Sequence, residues 1–219
     1  MLRLGKLRQD YRESIPAARK PAPEPVTAEG FSNRYPCALG EGSLAYYHRD
    51  YKGRGRVEAV DLRSGRSRVL FGMDAVNSLA FAGKDGKLYL SASDLFHSFS
   101  DFSDLYAFDL KKGGLKRLSR GGRLSHPVRQ EREGWLYCIQ RRNNRCRLAL
   151  FSETSGEAKS ISMAFAGMSQ LSLSPGGSRL AAAAKPVGGP WGIAIFQESG
   201  ALDRFLSVAG NDLSQPRWQ

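Results

Sequence analysis

Short apolar segments alternate with polar turns along most of this chain, and the pattern repeats. A dipeptide at the start of each unit recurs at intervals of 43, 48, 44 and 45 residues. Its five occurrences are Tyr35-Pro36, Ser78-Leu79, His126-Pro127, Gln170-Leu171 and Gln215-Pro216. A glycine turn after the third predicted strand keeps the same period, at Gly65, Gly113, Gly156 and Gly200. A period of roughly 40 to 50 residues with four short strands per unit is typical of β-propeller blades.

The second unit shows the strand pattern within one blade. Apolar residues predict an inner strand, then a second, a third and a fourth strand, at 77–81, 87–92, 104–110 and 115–119. Asp85-Gly86 indicates a two-residue hairpin between the first two strands. Apolar positions alternate or run together, as expected when neighbouring blades pack on both faces of a sheet.

The sequence therefore predicts an all-β fold, a β-propeller of four-stranded antiparallel blades. The propeller domain is predicted at 31–219, with about four blades and the first strand of a fifth, at 31–72, 73–121, 122–166, 167–210 and 211–219. Four blades and one strand would leave sheet surface exposed at both ends. Two interpretations follow: this is part of a longer protein, or an open array that closes by self-association.

The first 30 residues differ from the rest in composition. They contain Ile15-Pro16 and the proline-rich stretch 20–25, so we expect an extended linker with little regular structure. The segment lacks the apolar core of a secretory signal, and no apolar run in the chain approaches the roughly 18 residues of a membrane span. We therefore expect no transmembrane segment.

Three cysteines cannot all pair with one another, which argues against a disulfide framework. Cys138 and Cys146 flank a predicted hairpin turn. A three-residue loop at 141–143 would place them opposite each other, so a disulfide and two small buried strand residues are both open interpretations.

Three segments resemble the repeats of a known family. The sequence SLSPGGSRLA at 172–181 resembles the S-P-D-G-K-x-I-A motif of TolB-type, WD40-like β-propeller repeats. The predicted third and fourth strands, 104–110 and 115–118, resemble the same family's half-blade. Residues 215–218, with the sequence QPRW, resemble its P-x-W-S opening. The resemblance covers the chain from about residue 31 to the end.

The resemblance implies a binding function. TolB acts in a cell-envelope complex in the periplasm, so a non-catalytic protein-interaction scaffold is the first hypothesis. TolB-like repeats also occur fused to peptidase-type domains, so an accessory propeller of a larger hydrolase is the alternative. The chain as written is expected in the cytoplasm because it carries no signal peptide, and in the periplasm or envelope if it is a piece of a TolB-like exported protein.

The sequence offers little catalytic chemistry. Three scattered histidines, His48, His97 and His126, do not form a metal-binding pattern, and no H-E-x-x-H, C-x-x-C or G-x-S-x-G motif is present. We predict no enzyme activity, cofactor or metal. His126 precedes Pro127 at the start of an inner strand, where either a buried structural ring or a channel ligand fits.

Charge is the remaining guide to function. The net charge of +12 favours anionic partners. In a propeller the connections between second and third strands lie on one face, and here they carry net charges of +3 at 48–56, −3 at 93–104 and +4 at 141–147. The middle connection is also rich in aromatic residues. The predicted face is therefore patchy in charge.

Two sets of residues on this face are candidate contacts. The aromatic loop at 95–102 offers Phe96, His97, Phe99 and Phe102 as anchors for a protein partner, unless its rings fold back under the loop. The arginines either form the rim of that interface or bind a polyanion such as nucleic acid, anionic lipid or polysaccharide, and they are Arg54, Arg56, Arg141, Arg142 and Arg145.

Overall fold

Four antiparallel sheets make up the fold, as seen in a computed structural model. The structure describes residues 32–83, 85–96, 100–130, 134–208, 210–214, 216 and 218. No helix occurs within these ranges. The predicted linker at 1–30 lies outside them.

Each sheet has four strands that follow one another in chain order, so each is one propeller blade. Blade 1 contains β1 (Ser32–Gly40), β2 (Ser43–Arg49), β3 (Gly55–Asp61) and β4 (Ser67–Gly72). Blade 2 contains β5 (Val76–Ala82), β6 (Lys87–Phe96), β7 (Ser100–Asp109) and β8 (Leu115–Arg117). Blade 3 contains β9 (Leu124–Arg129), β10 (Trp135–Arg142), β11 (Arg145–Ser152) and β12 (Ala158–Ser160). Blade 4 contains β13 (Gly167–Leu173), β14 (Arg179–Lys185), β15 (Gly192–Gln197) and β16 (Leu202–Leu206).

The repeated dipeptide marks a β-bulge in the inner strand. The register shifts at Tyr35-Pro36 in β1, at His126-Pro127 in β9 and at Gln170-Leu171 in β13. Tyr35, His126 and Gln170 all have left-handed backbone, with φ of 55°, 51° and 55°. Proline fits here because a bulged residue is left out of the hydrogen-bond ladder. In blade 2 the bulge falls one residue earlier, at Asn77.

The second landmark is the turn between the third and fourth strand of each blade. Its glycine has a positive φ in every blade, between 67° and 87°, at Gly65, Gly113, Gly156 and Gly200. Only glycine adopts this backbone without a steric cost, which explains the period of the glycines in the sequence.

Three apolar clusters hold the blades together. One joins blades 1 and 2 around Val57 and Leu88, one joins blades 2 and 3 around Leu105 and Phe151, and one joins blades 3 and 4 through residues that include Leu148 and Phe196. Each fully buried side chain of this size contributes about 1.5 to 3 kcal/mol. The core therefore lies between blades, as in other repeat architectures.

A side-chain to backbone hydrogen bond recurs in the segments that connect one blade to the next. A side-chain oxygen in the connecting segment accepts a backbone N–H from the third strand: Ser119 from Leu105 at 3.0 Å, and Ser162 from Leu148 at 2.8 Å. Asp74 accepts from Gly55 at 2.6 Å in the same way. These bonds fix the entry of each blade relative to the preceding one.

Of the two interpretations of Cys138 and Cys146, two buried strand residues is the one that the structure bears out. The β10–β11 turn has two residues, Asn143 and Asn144, so Cys138 pairs with Ala149 and Cys146 pairs with Arg141. The cysteines consequently point to opposite faces of the sheet and join different apolar clusters. Neither forms a disulfide.

Two further predictions change in detail. Ala82 pairs with Lys87, so the β5–β6 connection spans four residues, 83–86, and is not a two-residue Asp85-Gly86 hairpin. The expected fifth-blade strand at 211–219 is not formed among the described residues there. Val208 and Asn211 form an isolated bridge instead, and the Trp218 indole donates to the Ser172 carbonyl at 3.3 Å.

Candidate binding site between the second and third blades

The connections between second and third strands lie at one end of the molecule, which we call the hairpin face. On this face β6 and β7 extend the blade 2 hairpin well beyond the predicted strands, with Phe96 paired to Ser100. The predicted aromatic loop is therefore mostly the tip of a long β-hairpin. His97 and Phe99 lie outside the described residues, and only the backbone of Phe96 is described.

A cavity of about 490 Å³ opens on the hairpin face between blades 2 and 3. Both blades line it, together with Met168 at the start of blade 4. Its polar and charged lining comprises Asn77, Ser93, Ser103, Arg123, Ser125, His126, Arg141, Asn143 and Asn144, and its apolar lining comprises Phe102, Ile139, Cys146 and Met168. A volume of this size is in the range of ligand pockets, roughly 300 to 1,000 Å³.

Two predicted residues, Phe102 and Arg141, meet at this cavity although they come from different blades. Arg123 joins them from the segment before β9, and its guanidinium stacks over the Phe102 ring at 4.0 Å from the centroid. The Arg141 backbone N–H donates to the Arg123 carbonyl at 2.9 Å, so the two arginines leave adjacent backbone positions. This side of the cavity, which we call its wall, thus combines one aromatic ring with two guanidinium groups.

Below the wall lies a network of hydroxyl and amide groups. The Asn77 amide donates to the Ser103 hydroxyl at 2.9 Å and more weakly to Ser93 at 3.4 Å, and it accepts from the Ser91 hydroxyl. Ser91 is fully buried, bonds Ser78 at 2.5 Å and accepts the His126 backbone N–H at 3.2 Å. The network links β5, β6 and β7 to β9 and makes the cavity floor rigid.

His126 occupies the bulge of β9 at the bottom of the cavity. Its Nδ1 is buried and has no hydrogen-bond partner among the described residues. Burial lowers the pKa of the ring to about 4, so the imidazole is neutral at pH 7. Of the two interpretations of His126 from the sequence, the buried ring agrees with the structure, and a channel ligand stays a prediction.

His126 also borders the central channel. The inner strands of all four blades line this space of about 690 Å³, and Pro216 completes the described lining. The cavity and the channel share Asn77 and His126. The cavity is therefore the mouth of the channel between blades 2 and 3.

The remaining predicted arginines fall into two groups. Arg54 and Arg56 lie on blade 1 and are paired with acidic residues of the same blade, Asp50 at 3.0 Å and Glu58. Arg142 and Arg145 face each other across the two strands that end in the blade 3 turn. The structure thus brings Phe102 and Arg141 together at the cavity, sets Arg142 and Arg145 on the hairpin beside it and leaves Arg54 and Arg56 on another blade.

Other kinds of site find little support in the described part of the chain. No cluster of three or more histidine, cysteine, aspartate or glutamate side chains with the spacing of a metal site occurs there. Within the same ranges, no helix is long and apolar enough to cross a membrane.

Solved structures share this arrangement of blades. TolB from Acinetobacter baumannii superposes with a TM-score of 0.69 and 18% sequence identity over 84% of this chain. The chain has the TolB-like β-propeller fold. An oligogalacturonate lyase in complex with manganese superposes with a TM-score of 0.61 and 17% identity over 84% of the chain. A puromycin-hydrolyzing peptidase from Mycobacterium tuberculosis gives 0.57 and 14% over 82%.

This TolB-like chain spans only part of each of these proteins, 45% of the TolB, 56% of the lyase and 29% of the peptidase. No protein-family model matches the sequence, and no curated protein matches it. The likeness therefore concerns the fold, and the function has to be argued from the residues.

The sequence did not single out Arg123, Asn77 or Asn143 as site residues. Arg123 lies in a connection between blades, whereas the predicted contact residues all lie in connections within blades. The basic run Arg120-Gly-Gly-Arg123 directly before an inner strand was the available signal, because such a segment reaches the same face as the hairpins.

Proposed function

We propose that this TolB-like chain is a non-catalytic binding module that takes a segment of a protein partner on its hairpin face, at the cavity between blades 2 and 3. The observation that carries the proposal is the convergence of Phe102, Arg123 and Arg141 from two blades on one cavity. Aromatic residues and arginine dominate the energetics of protein interfaces. The preformed hairpins would present them with little loss of conformational entropy.

Photo-crosslinking in cells of the source organism tests this proposal. The photoreactive residue p-benzoylphenylalanine replaces Phe102 or Arg142 at the site. As controls it replaces Tyr51, which is 81% exposed on blade 1, or Trp135, which begins β10 at the opposite end of that strand. The same protein adduct at positions 102 and 142, absent at 51 and 135, is the expected result. Equal adducts at all four positions, or adducts at the controls alone, would contradict the proposal.

Polyanion binding has weaker support. It relied on five arginines acting together, but Arg54 and Arg56 are each paired with a carboxylate of blade 1. A pair of this kind offers little net charge to a phosphate chain.

An accessory role in a larger hydrolase is the second candidate function. The observation in its favour is the peptidase of which this chain would span 29%. In that case a catalytic domain would be encoded outside these 219 residues. The same hairpin-face cavity would then contact that domain or its substrate, and the crosslinked adduct would be intramolecular in the full-length protein.

A further inference from the structure

The cavity between blades 2 and 3 carries positive charge that no described lining residue neutralises. Its described lining contains two arginines and no carboxylate. Within the described residues neither Arg123 nor Arg141 forms an ion pair, so no described carboxylate competes with a ligand for their guanidinium groups.

Both arginines are placed to donate to an anion. The Arg123 guanidinium lies over the Phe102 ring, with its carbon 4.0 Å from the ring centroid. Arg141 is held beside it by the backbone hydrogen bond to the Arg123 carbonyl, and its Nη2 also contacts the Asn144 amide oxygen at 3.3 Å. Two guanidinium groups placed in this way can donate paired hydrogen bonds to a carboxylate.

The rim suits a peptide. Asn143 and Asn144 are exposed at the blade 3 turn with φ of 49° and 57°, and their amides can donate to backbone carbonyls. At about 490 Å³ the cavity holds an acidic side chain with its flanking backbone but not a folded domain.

We infer that this cavity is a carboxylate site, in which Arg123 and Arg141 bind an aspartate or glutamate side chain of an extended acidic segment of the partner. The inference rests on the proposed function and names the chemistry that the partner must bring.

Fluorescence anisotropy tests it with a labelled decapeptide of alternating glutamate and glycine, and with its glutamine counterpart. The glutamate peptide should bind at least about tenfold more tightly than the glutamine peptide, since each 1.4 kcal/mol is a factor of ten and a charge-assisted hydrogen bond is worth about that much. Arg123→Gln and Arg141→Gln should each weaken binding about tenfold, and Arg141→Lys by less. Arg54→Gln is the matched control and should leave affinity unchanged.

Equal binding of the two peptides would overturn the inference, as would full affinity in both Arg123→Gln and Arg141→Gln. Tighter binding of a single-stranded DNA of equal length would also overturn it in favour of a phosphate polymer. Thermal melting of each variant shows whether it is folded, and Arg141→Lys keeps the test valid if a glutamine variant does not fold. If Arg123→Gln and Arg141→Gln still give the crosslinked partner at position 102, the proposed function stands and only the carboxylate assignment fails.

Discussion

Asp104 shows how a single residue fixes the geometry of this surface. It is 1% exposed and accepts hydrogen bonds from Ser119 at 2.7 Å, from the Gly121 and Gly122 N–H groups at 2.9 and 3.0 Å and from Arg117 at 2.5 Å. Burial by itself would raise the pKa of the carboxyl group, but these donors outweigh it and hold the pKa below its usual range. Asp104 thereby ties β7 to the segment that leads to Arg123.

Replacing Asp104 with Asn should therefore lower the free energy of unfolding by about 3 kcal/mol, because it leaves the Arg117 guanidinium without its buried partner. Urea denaturation measures the change. Asp109→Asn is the control: Asp109 accepts two backbone N–H groups, both at 2.9 Å, in an exposed turn, so its loss should cost about 1 kcal/mol or less. Equal costs for the two variants would contradict the role given to Asp104.

His126 predicts a pH dependence of stability. Its pKa is about 4 in the folded chain against an ordinary value of 6.5, so between these pH values the unfolded chain binds a proton that the folded chain does not. The free energy of unfolding should therefore fall as the pH drops from about 6.5 to 4, by roughly 3 kcal/mol in total.

Urea denaturation at pH 7 and pH 4.5 tests this prediction. His126→Asn removes the titrating group and tolerates the left-handed backbone at this position. The loss of stability should be about 2 kcal/mol smaller in the variant than in the wild type. The carboxylates titrate in both proteins, so their contribution to the loss of stability cancels when the two losses are subtracted. An identical loss in both would show that burial does not depress this pKa.

At the scale of the strands, contacts between neighbouring blades repeat. The Tyr89 hydroxyl of blade 2 donates to Glu153 of blade 3 at 3.0 Å, and the Tyr137 hydroxyl of blade 3 donates to the Glu198 carbonyl of blade 4 at 3.1 Å. Gln130 reinforces the second contact by donating to the Tyr137 hydroxyl at 3.1 Å. A tyrosine on the second strand thus connects to the outer turn of the next blade.

Tyr137→Phe should lower the free energy of unfolding by about 1 to 2 kcal/mol, because it removes the hydrogen bonds to the Glu198 carbonyl and from the Gln130 amide while the ring stays packed. Differential scanning calorimetry would show the loss as a lower Tm. Tyr51→Phe, at an 81% exposed position, should leave the Tm unchanged. No change in Tyr137→Phe would mean that the contact does not hold blades 3 and 4 together.

The hairpin register predicts the state of the cysteines. Cys138 and Cys146 are buried in different clusters, and burial raises the pKa of the Cys138 thiol, so both should react slowly with a thiol reagent in the native chain. In denaturant without reductant all three thiols should react. A single reactive thiol under those conditions would indicate a Cys138–Cys146 disulfide and a different register.

The sequence predicted the blades and their glycine turns, but not the lengths of the β5–β6 and β10–β11 turns. The bulge and the glycine turn recur in every blade, so each produces a periodic feature in the sequence from which the number of blades can be predicted. A two-residue and a three-residue turn between β10 and β11 differ by a single residue. The sequence Arg-Arg-Asn-Asn at 141–144 is compatible with either turn until the pairing of the strands is known. Arg123 was missed because its place at the cavity depends on how blade 3 packs against blade 2.

At the scale of the whole molecule, the packing of four blades creates a channel and a cavity that no single blade contains. The inner strands enclose the channel, and the gap between blades 2 and 3 brings Phe102 and Arg123 beside Arg141. The TolB-like fold supplies the frame, and the basic, aromatic cavity lies on its hairpin face. Self-association through the open propeller edges stays a prediction.

The most direct test of the central claim is hydrogen–deuterium exchange of the chain with and without the partner captured by crosslinking. If the partner binds the hairpin face, amides at 93–104 and 139–147 should exchange more slowly in the complex. Amides at the turns of the opposite end, near 83–86 and 153–156, should exchange unchanged. Protection confined to the opposite end, or to the blade 1 connection at 50–54, would contradict a binding site between blades 2 and 3.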